Sequence, residues 1–456
     1  MQGRLGDGIP FARVPTKNEY PFQTHGVKHV VTKCRATGSA LLADDMGLGK
    51  SMQALLACRA LVNGNGQVVV CCPRSVALTW VKEIKKWTNA EAFLVKDGKS
   101  AAKIKAEEYI VTSYDLSHTL DVLPCVLILD EAHLLRGRST LRVKKIRQLA
   151  ALSDFRIGLT GTPIWDRPRD FWSMLDLLWP GRFGNRFDFD LAYCNGKLNE
   201  WGGLENKGAT LTEELKLRLE TGLMLRRTRE QVKLQLPSLQ RQVVWLDADP
   251  GASAAFRRSA IGRAPGDMHK ALEATLNAKV DAAVAEGMMA DKCLIFTWTR
   301  AHATEIHRRL EAEGKKAKLV HGGMTAQLRN KQIAEAAKEG ASVVATVDSV
   351  GTGVDGLQHV AHIGIFHALD WRPLQLAQAE ARLARIGQSQ GVLWKYLALK
   401  DSADEVVLHT IVDKLDQARA VLGQRSNQGL RDTLADYGTA SEADLLKEMY
   451  ARMENT

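Results

Sequence analysis

A chain of 456 residues is too long for one compact domain and comfortable for two or three, each with its own core. With 45% hydrophobic and 25% charged residues it has the composition of an ordinary globular protein, which excludes a disordered or membrane-embedded chain. A formal net charge of +10 favours a polyanionic partner, DNA or RNA.

Residues 1–10 lack the apolar run of a signal peptide, and no segment approaches the roughly 20 apolar residues that span a bilayer. A soluble, cytoplasmic protein without a membrane partner is expected. The cysteines Cys34, Cys58, Cys71, Cys72, Cys125, Cys194 and Cys293 form no CxxC pair and no Cys/His cluster at zinc spacing, so reduced thiols and no zinc are expected.

The first elements read as a nucleotide site. Ala40-Leu41-Leu42-Ala43 is a strand that runs into Asp44-Asp45-Met46-Gly47-Leu48-Gly49-Lys50-Ser51 and then a helix over 52–61. A glycine-containing loop between strand and helix can turn its backbone N–H groups onto phosphates, and the helix N-terminus adds positive potential. Lys50 is placed to neutralise the β- and γ-phosphates of ATP and Ser51 to ligate magnesium. The strict pattern has glycine six residues before the lysine, where this chain has Asp44.

Short apolar runs over 68–72, 109–112 and 126–129 read as buried strands of a parallel sheet, alternating with helices. Between the first two, residues 76–87 place Trp80, Ile84 and Trp87 at helical spacing, the pattern of core packing. The strand ending at Leu129 delivers Asp130-Glu131-Ala132-His133 at its carboxyl end, where α/β sheets bind ligands. Asp130 can hold magnesium through water, and Glu131 can orient or deprotonate the attacking water. The run Arg136, Arg138, Arg142, Lys144, Lys145 and Arg147 carries no acidic residue and reads equally as a solvated helix face or a DNA track.

Residues 166–287 read as a mostly helical insertion and linker, with helices over 211–225 and 271–286. Trp165, Trp172 and Trp179 recur every seven residues, as packing residues do. The α/β rhythm restarts near Lys292, with strands over 293–297, 318–320 and 343–346 and helices over 301–313 and 325–337. His321 has no partner at ligand spacing and reads as a loop or structural residue. Gln378-Ala379-Glu380-Ala381-Arg382-Leu383-Ala384-Arg385 reads as helical, with Arg382 and Arg385 on one face. Two such arginines can be a solvated face, or can reach a γ-phosphate and stabilise the charge that develops in phosphoryl transfer. Residues 431–456 are acidic and helix-forming.

These motifs resemble the Swi/Snf-type ATPases of helicase superfamily two. Tyr20-Pro21-Phe22-Gln23 with Gly26-Val27 is similar to the adenine-reading Q motif, in which Gln23 would bind the base. Asp44 to Ser51 resembles the family's phosphate loop, which carries an acidic residue in place of the first glycine. Asp130 to His133 matches the DEAH box. Leu159-Thr160-Gly161-Thr162-Pro163 is similar to motif III, so Thr160, Gly161 and Thr162, with Gln378, would couple hydrolysis to lobe movement. Met224-Leu225-Arg226-Arg227, Leu236-Pro237, Asp370-Trp371-Arg372-Pro373 and Arg385-Ile386-Gly387-Gln388 resemble segments specific to the family, and Arg167-Pro168 and Tyr193-Cys194 resemble its annealing-helicase branch. By the same resemblance Arg74, Ser75, Thr112, Ser113 and Thr346 would contact DNA phosphates, and Gly353 and Asp355 of motif V would contact ATP. Two segments depart from the pattern: Ala381 and Ala384 replace the usual Asp and His of motif VI, and Gly353-Val354-Asp355 replaces the usual Gly-Leu-Asn of motif V.

The resemblance implies two RecA-like parallel-sheet lobes. Residues 1–185 would form the ATP-binding lobe, 186–287 a helical insertion and linker, 288–425 the second lobe and 426–456 an acidic tail. It implies an ATPase that uses magnesium, is stimulated by DNA, translocates on duplex or forked DNA without sequence preference, and remodels or reanneals it. A strand-separating helicase on DNA or RNA is the alternative, and a non-catalytic scaffold is disfavoured because no catalytic position is lost. The chain shows no accessory module beside the motor, which fits a bacterial or phage protein better than a nuclear remodeller.

Overall fold

The computed structural model describes residues 20–62, 66–104, 108–135, 141–161, 168–198, 204–206, 210–228, 231–232, 239–262, 267–350, 356–369, 373–385 and 388–408. The chain divides into two units, Met1–Lys233 and Leu234–Thr456.

In the first unit the strands are β1 (Ser39–Leu42), β2 (Val68–Cys72), β3 (Ala92–Leu94), β4 (Tyr109–Ser113), β5 (Val126–Asp130) and β6 (Phe155–Leu159). A two-stranded antiparallel hairpin follows, β7 (Gly196–Leu198) with β8 (Leu204–Asn206), and then the short β9 (Met224–Leu225). Apart from the hairpin these strands form one parallel sheet in the order β3-β4-β2-β5-β6-β1-β9. β2 reads Val-Val-Val-Cys-Cys and is buried throughout, because helices cover both faces of a parallel sheet and a strand there needs no polar side. The helix Ala77–Thr88 buries Trp80 and Ile84 against this sheet, in keeping with their spacing. Trp172 and Trp179 are buried in or beside the helix Pro168–Leu178, so both are packing residues; Trp165 lies outside the described residues.

The second unit contains β10 (Leu239–Leu246), β11 (Cys293–Thr297), β12 (Ala317–Val320), β13 (Ser342–Thr346), β14 (Ile363–Phe366) and β15 (Val392–Leu399). They form a second all-parallel sheet in the order β10-β15-β14-β11-β13-β12, with an apolar core on each face. The expected α/β class with two parallel sheets is therefore what the chain adopts.

The segment expected to be a mostly helical insertion also contains strands, the β7–β8 hairpin among them. It supplies an edge strand to each sheet, β9 to the first and β10 to the second. β9 has two residues, too few to carry a period, and β10 alternates exposure along its first half, as an edge strand does. The expected helix over 211–225 is shorter, Thr212–Glu220, because the chain must extend again to pair β9 with β1.

Candidate active site

Strand register brings the motif-bearing loops of the first unit to one level. Leu42 of β1 pairs with Leu159 of β6, Leu159 with Asp130 of β5, and Leu42 with Leu225 of β9. The loops leaving these neighbouring strands share the carboxyl edge of the sheet, the usual place for a ligand in a parallel α/β unit.

After β1 the chain turns through Gly47 and Gly49, at φ +84° and +77°, a left-handed backbone that glycine adopts without steric cost. Lys50 opens the helix Lys50–Leu61, and its ammonium folds back to donate to the carbonyls of Asp44 at 2.7 Å and Asp45 at 3.1 Å. Burial lowers the Lys50 pKa, and the carboxylates of Glu131, Asp44, Asp45 and Asp130 oppose that. A half-buried ammonium held by two carbonyls, within electrostatic reach of four carboxylates and next to a helix N-terminus, is a cation placed for phosphate.

Asp130 ends β5. Its Oδ2 accepts from Trp80 Nε1 at 2.7 Å, its Oδ1 accepts from the Glu131 amide at 3.0 Å, and the Tyr114 hydroxyl donates to its carbonyl at 2.6 Å. Burial, and then the adjacent Glu131 carboxylate, lift the Asp130 pKa to about 7. Glu131 sits at φ +50°, a left-handed backbone that costs a non-glycine residue about 1 kcal/mol or more and is found most often at functional sites. His133 lies 2.9 Å from Thr160 Oγ1 and 3.3 Å from Glu131 Oε2, so the loops after β5 and β6 are joined through one imidazole. Gly161 lies against the phosphate loop so closely that a Cβ there would fall 2.5 Å from Met46 Cγ and 3.4 Å from Lys50 Nζ. An ammonium, a turn of backbone amides, the Ser51 hydroxyl in the first helical turn and two carboxylates form a donor set that fits a magnesium–nucleoside triphosphate.

Gln23 is buried on the helix Pro21–Thr37 and donates to the Leu48 carbonyl at 3.2 Å, which seats the Q motif on the phosphate loop. A Cβ at Gly49 would lie 2.6 Å from the same Gln23 Nε2. Two arginines following β9 complete the surroundings. Arg226 donates to the carbonyl of Ala43 at 2.8 Å and pairs with Asp45 at 3.2 Å, and Arg227 pairs with Asp44.

In the second unit Arg382 lies on the helix Pro373–Leu383, which also carries Gln378, and Arg385 lies just beyond its end. The helix therefore stops earlier than the sequence pattern suggests. Gln388 fixes the exit by donating to the carbonyls of Gln358 at 3.1 Å and Ala361 at 2.9 Å. The helix is anchored at Glu380, a buried carboxylate that takes two hydrogen bonds of 2.6 Å from Arg241 of β10 and one of 2.6 Å from the Tyr396 hydroxyl of β15. Thr162, Gly353 and Asp355 lie outside the described residues.

The candidate phosphate contacts divide. Arg74 is exposed and Ser75 half-buried, in the single turn Arg74–Val76 that follows β2. Thr112 is fully buried and donates to the Ser113 carbonyl at 3.3 Å, while Ser113 Oγ, also buried, accepts from the Leu116 amide at 3.3 Å. Thr346 is buried at the end of β13. The strand that carries Thr112 and Ser113 is buried along its whole length. The basic run divides too: Arg147 is drawn inward to Asp176 at 2.8 Å, Arg142 pairs with Asp115 at 3.3 Å, and Lys144 is exposed. Arg136 and Arg138 lie outside the described residues. His321 accepts from the Gly323 amide at 3.2 Å, a loop role.

The SNF2-related domain family matches residues 22–295, and the helicase conserved C-terminal domain family matches residues 276–387. The chain belongs to the SNF2-related family. Among relatives of this family, the Xenopus laevis protein SWI/SNF-related matrix-associated actin-dependent regulator of chromatin subfamily A-like protein 1 is 30% identical over 449 residues, covering 89% of this chain and 44% of that protein. The Mus musculus DNA annealing helicase and endonuclease ZRANB3 is 27% identical over 448 residues, covering 90% of this chain and 41% of that protein. The chain thus spans less than half the length of these two relatives. A solved structure described as the Sulfolobus solfataricus SWI2/SNF2 ATPase core in complex with dsDNA aligns at 22% identity and a TM-score of 0.44, covering 91% of this chain and 97% of that one. Membership of the family, and likeness to its annealing helicases, agree with the resemblance drawn from the motifs. Among the described residues no helix is long and apolar enough to cross a membrane.

Proposed function

We propose that this SNF2-family chain is a DNA-stimulated ATPase that translocates on duplex DNA and remodels or reanneals DNA structures. The reading rests chiefly on one observation: Lys50, Asp130, Glu131 and Thr160 converge on one sheet edge, with Lys50 folded onto its own loop and His133 bridging to Thr160. In this reading Lys50 holds the β- and γ-phosphates of ATP, Ser51 and Asp130 hold magnesium, the latter through water, and Glu131 orients the attacking water. Gln23, Gly353 and Asp355 contact the nucleotide. Arg382 and Arg385 stabilise charge on the γ-phosphate, and Glu380 keeps their helix in place through Arg241 and Tyr396.

DNA is gripped at phosphates and so without sequence preference, with Arg74, Ser75, Thr112, Ser113 and Thr346 as the contacting residues. A triplex-displacement assay tests translocation. A third strand bound to duplex DNA should be released only with hydrolysable ATP and magnesium, and not by Lys50→Ala. Release of a duplex strand without release of the third strand would instead indicate a strand-separating helicase.

A further inference from the structure

Asp44 occupies the position at which a strict phosphate loop has glycine, and its carboxylate is completely buried. Burying a carboxylate is costly unless it is paired and its lone pairs are satisfied. Here Oδ1 accepts from the Arg227 amide at 3.1 Å and from Arg227 Nε at 3.0 Å, while Oδ2 pairs with Arg227 Nη2 and accepts from Gln53 Nε2 at 3.4 Å. The rest of the Arg227 fork donates to the Phe22 carbonyl and to Gln53 Oε1 at 2.9 Å, and the guanidinium carbon lies 5.2 Å from the centre of the Phe22 ring. One side chain therefore ties together the start of the phosphate loop, the helix that follows it and the segment leading to Gln23.

Arg226 does the matching work on the other side, since consecutive residues of an extended segment face opposite ways. Its guanidinium, mostly shielded from solvent, donates to the carbonyls of Ala43 at 2.8 Å and Gly161 at 3.4 Å and pairs with Asp45 at 3.2 Å. The backbone adds to this link: the amides of Ala43 and Asp45 donate to the carbonyls of Leu225 at 2.8 Å and Arg227 at 3.0 Å.

We propose that Arg226 and Arg227 are positioning residues of the nucleotide site, which hold the phosphate loop in its binding shape through Asp45 and Asp44 and fix its distance from Phe22 and Gly161. The proposal rests on the nucleotide-hydrolysing reading above. A loop already shaped before ligand arrives spends none of its binding free energy on ordering, so loosening the clamp weakens nucleotide binding and raises KM more than it lowers kcat. Lysine cannot replace either arginine, because a single ammonium does not reproduce a planar fork with several fixed donors.

The test uses the full chain and measures MgADP affinity by calorimetry beside steady-state ATPase and melting temperature. Arg227→Lys, Asp44→Asn and Arg226→Lys should each weaken MgADP roughly tenfold or more and raise KM for ATP in parallel. The double variant Asp44→Asn/Arg227→Lys should bind no worse than the weaker single variant, as expected for two halves of one contact. Folded variants that melt earlier yet bind MgADP within about twofold of wild type would overturn the proposal, as would additive losses in the double variant. If these variants do not fold, Gln53→Met, which removes one partner of Arg227, should weaken MgADP by about threefold, and an unchanged affinity would overturn the proposal. Wild-type protein that binds MgADP without hydrolysing ATP would sink the motor reading alone, with the affinities still deciding the clamp; wild-type protein that does not bind MgADP would overturn both.

Discussion

His133 Nδ1 stands 2.9 Å from Thr160 Oγ1, a contact between the DEAH loop after β5 and motif III after β6. Both groups are buried, so deleting this contact in a water-poor setting should cost about 1–3 kcal/mol. Because His133 also lies 3.3 Å from Glu131, a change at Thr160 reaches the carboxylate proposed to orient water through one imidazole. Thr160→Val, which keeps the shape and deletes the hydroxyl, should lower DNA-stimulated kcat about tenfold with little change in KM. Steady-state kinetics on duplex DNA checks this; wild-type kcat would reduce the contact to packing.

Lys50 and Glu131 should fail in different ways. Lys50→Ala removes the cation proposed to hold the phosphates, so nucleotide binding itself should be lost. Glu131→Gln keeps the shape and removes the carboxylate, so MgATP should still bind while hydrolysis falls by roughly 10²–10⁴. Nucleotide affinity and single-turnover hydrolysis, measured on both variants, separate the two roles.

The half-buried Asp130 carboxyl, with its pKa raised to about 7, makes magnesium dependence sensitive to pH. Its charged form, the one that holds a dication, predominates above that value and is lost as pH falls through it. The magnesium concentration giving half-maximal ATPase should therefore rise steeply below about pH 7, approaching tenfold per pH unit. Trp80→Phe removes a hydrogen bond that favours the charged form, and should move this limb to higher pH. An identical profile in the variant would show that the indole serves packing only.

Lys279 and Asp404 form an ion pair of 2.8 Å in the second unit, 0% and 1% exposed. The Leu397 carbonyl accepts from the ammonium at 3.3 Å, and the Thr275 hydroxyl and the Leu399 amide donate to the carboxylate. Lys279→Met leaves the carboxylate buried without its counter-charge and should cost about 3–5 kcal/mol, whereas Lys279→Met/Asp404→Leu should recover most of that. Denaturant unfolding of both variants checks the ordering.

How much of this was legible in the sequence depended on how far each residue stands from its partners. The phosphate loop, the DEAH tetrad and most strands are local patterns, complete within a dozen residues, and the structure places them on one parallel sheet, with β6 between β1 and β5. Trp80 was readable as core from its spacing, but its hydrogen bond to Asp130 spans 50 residues and no periodicity announces it. Asp44 stood out only as a departure from the strict pattern; its partner Arg227 lies 183 residues away, just past an edge strand of two residues. Glu380 passed as an ordinary helical acid until its partner Arg241, 139 residues distant, was placed by β10. The single helix expected over 271–286 is two, Asp267–Ala278 and Val280–Met289, which meet at Lys279, where the ion pair with Asp404 occupies the break.

The central claim is that this site hydrolyses ATP in response to duplex DNA. Its most direct test is the magnesium-dependent ATPase rate of the purified chain, measured without nucleic acid and with duplex DNA, forked DNA, single-stranded DNA or RNA. Stimulation of about tenfold or more by duplex and forked DNA, absent in Lys50→Ala and Glu131→Gln, is the expected result. A rate unchanged by duplex and forked DNA, or raised by single-stranded RNA alone, would contradict it.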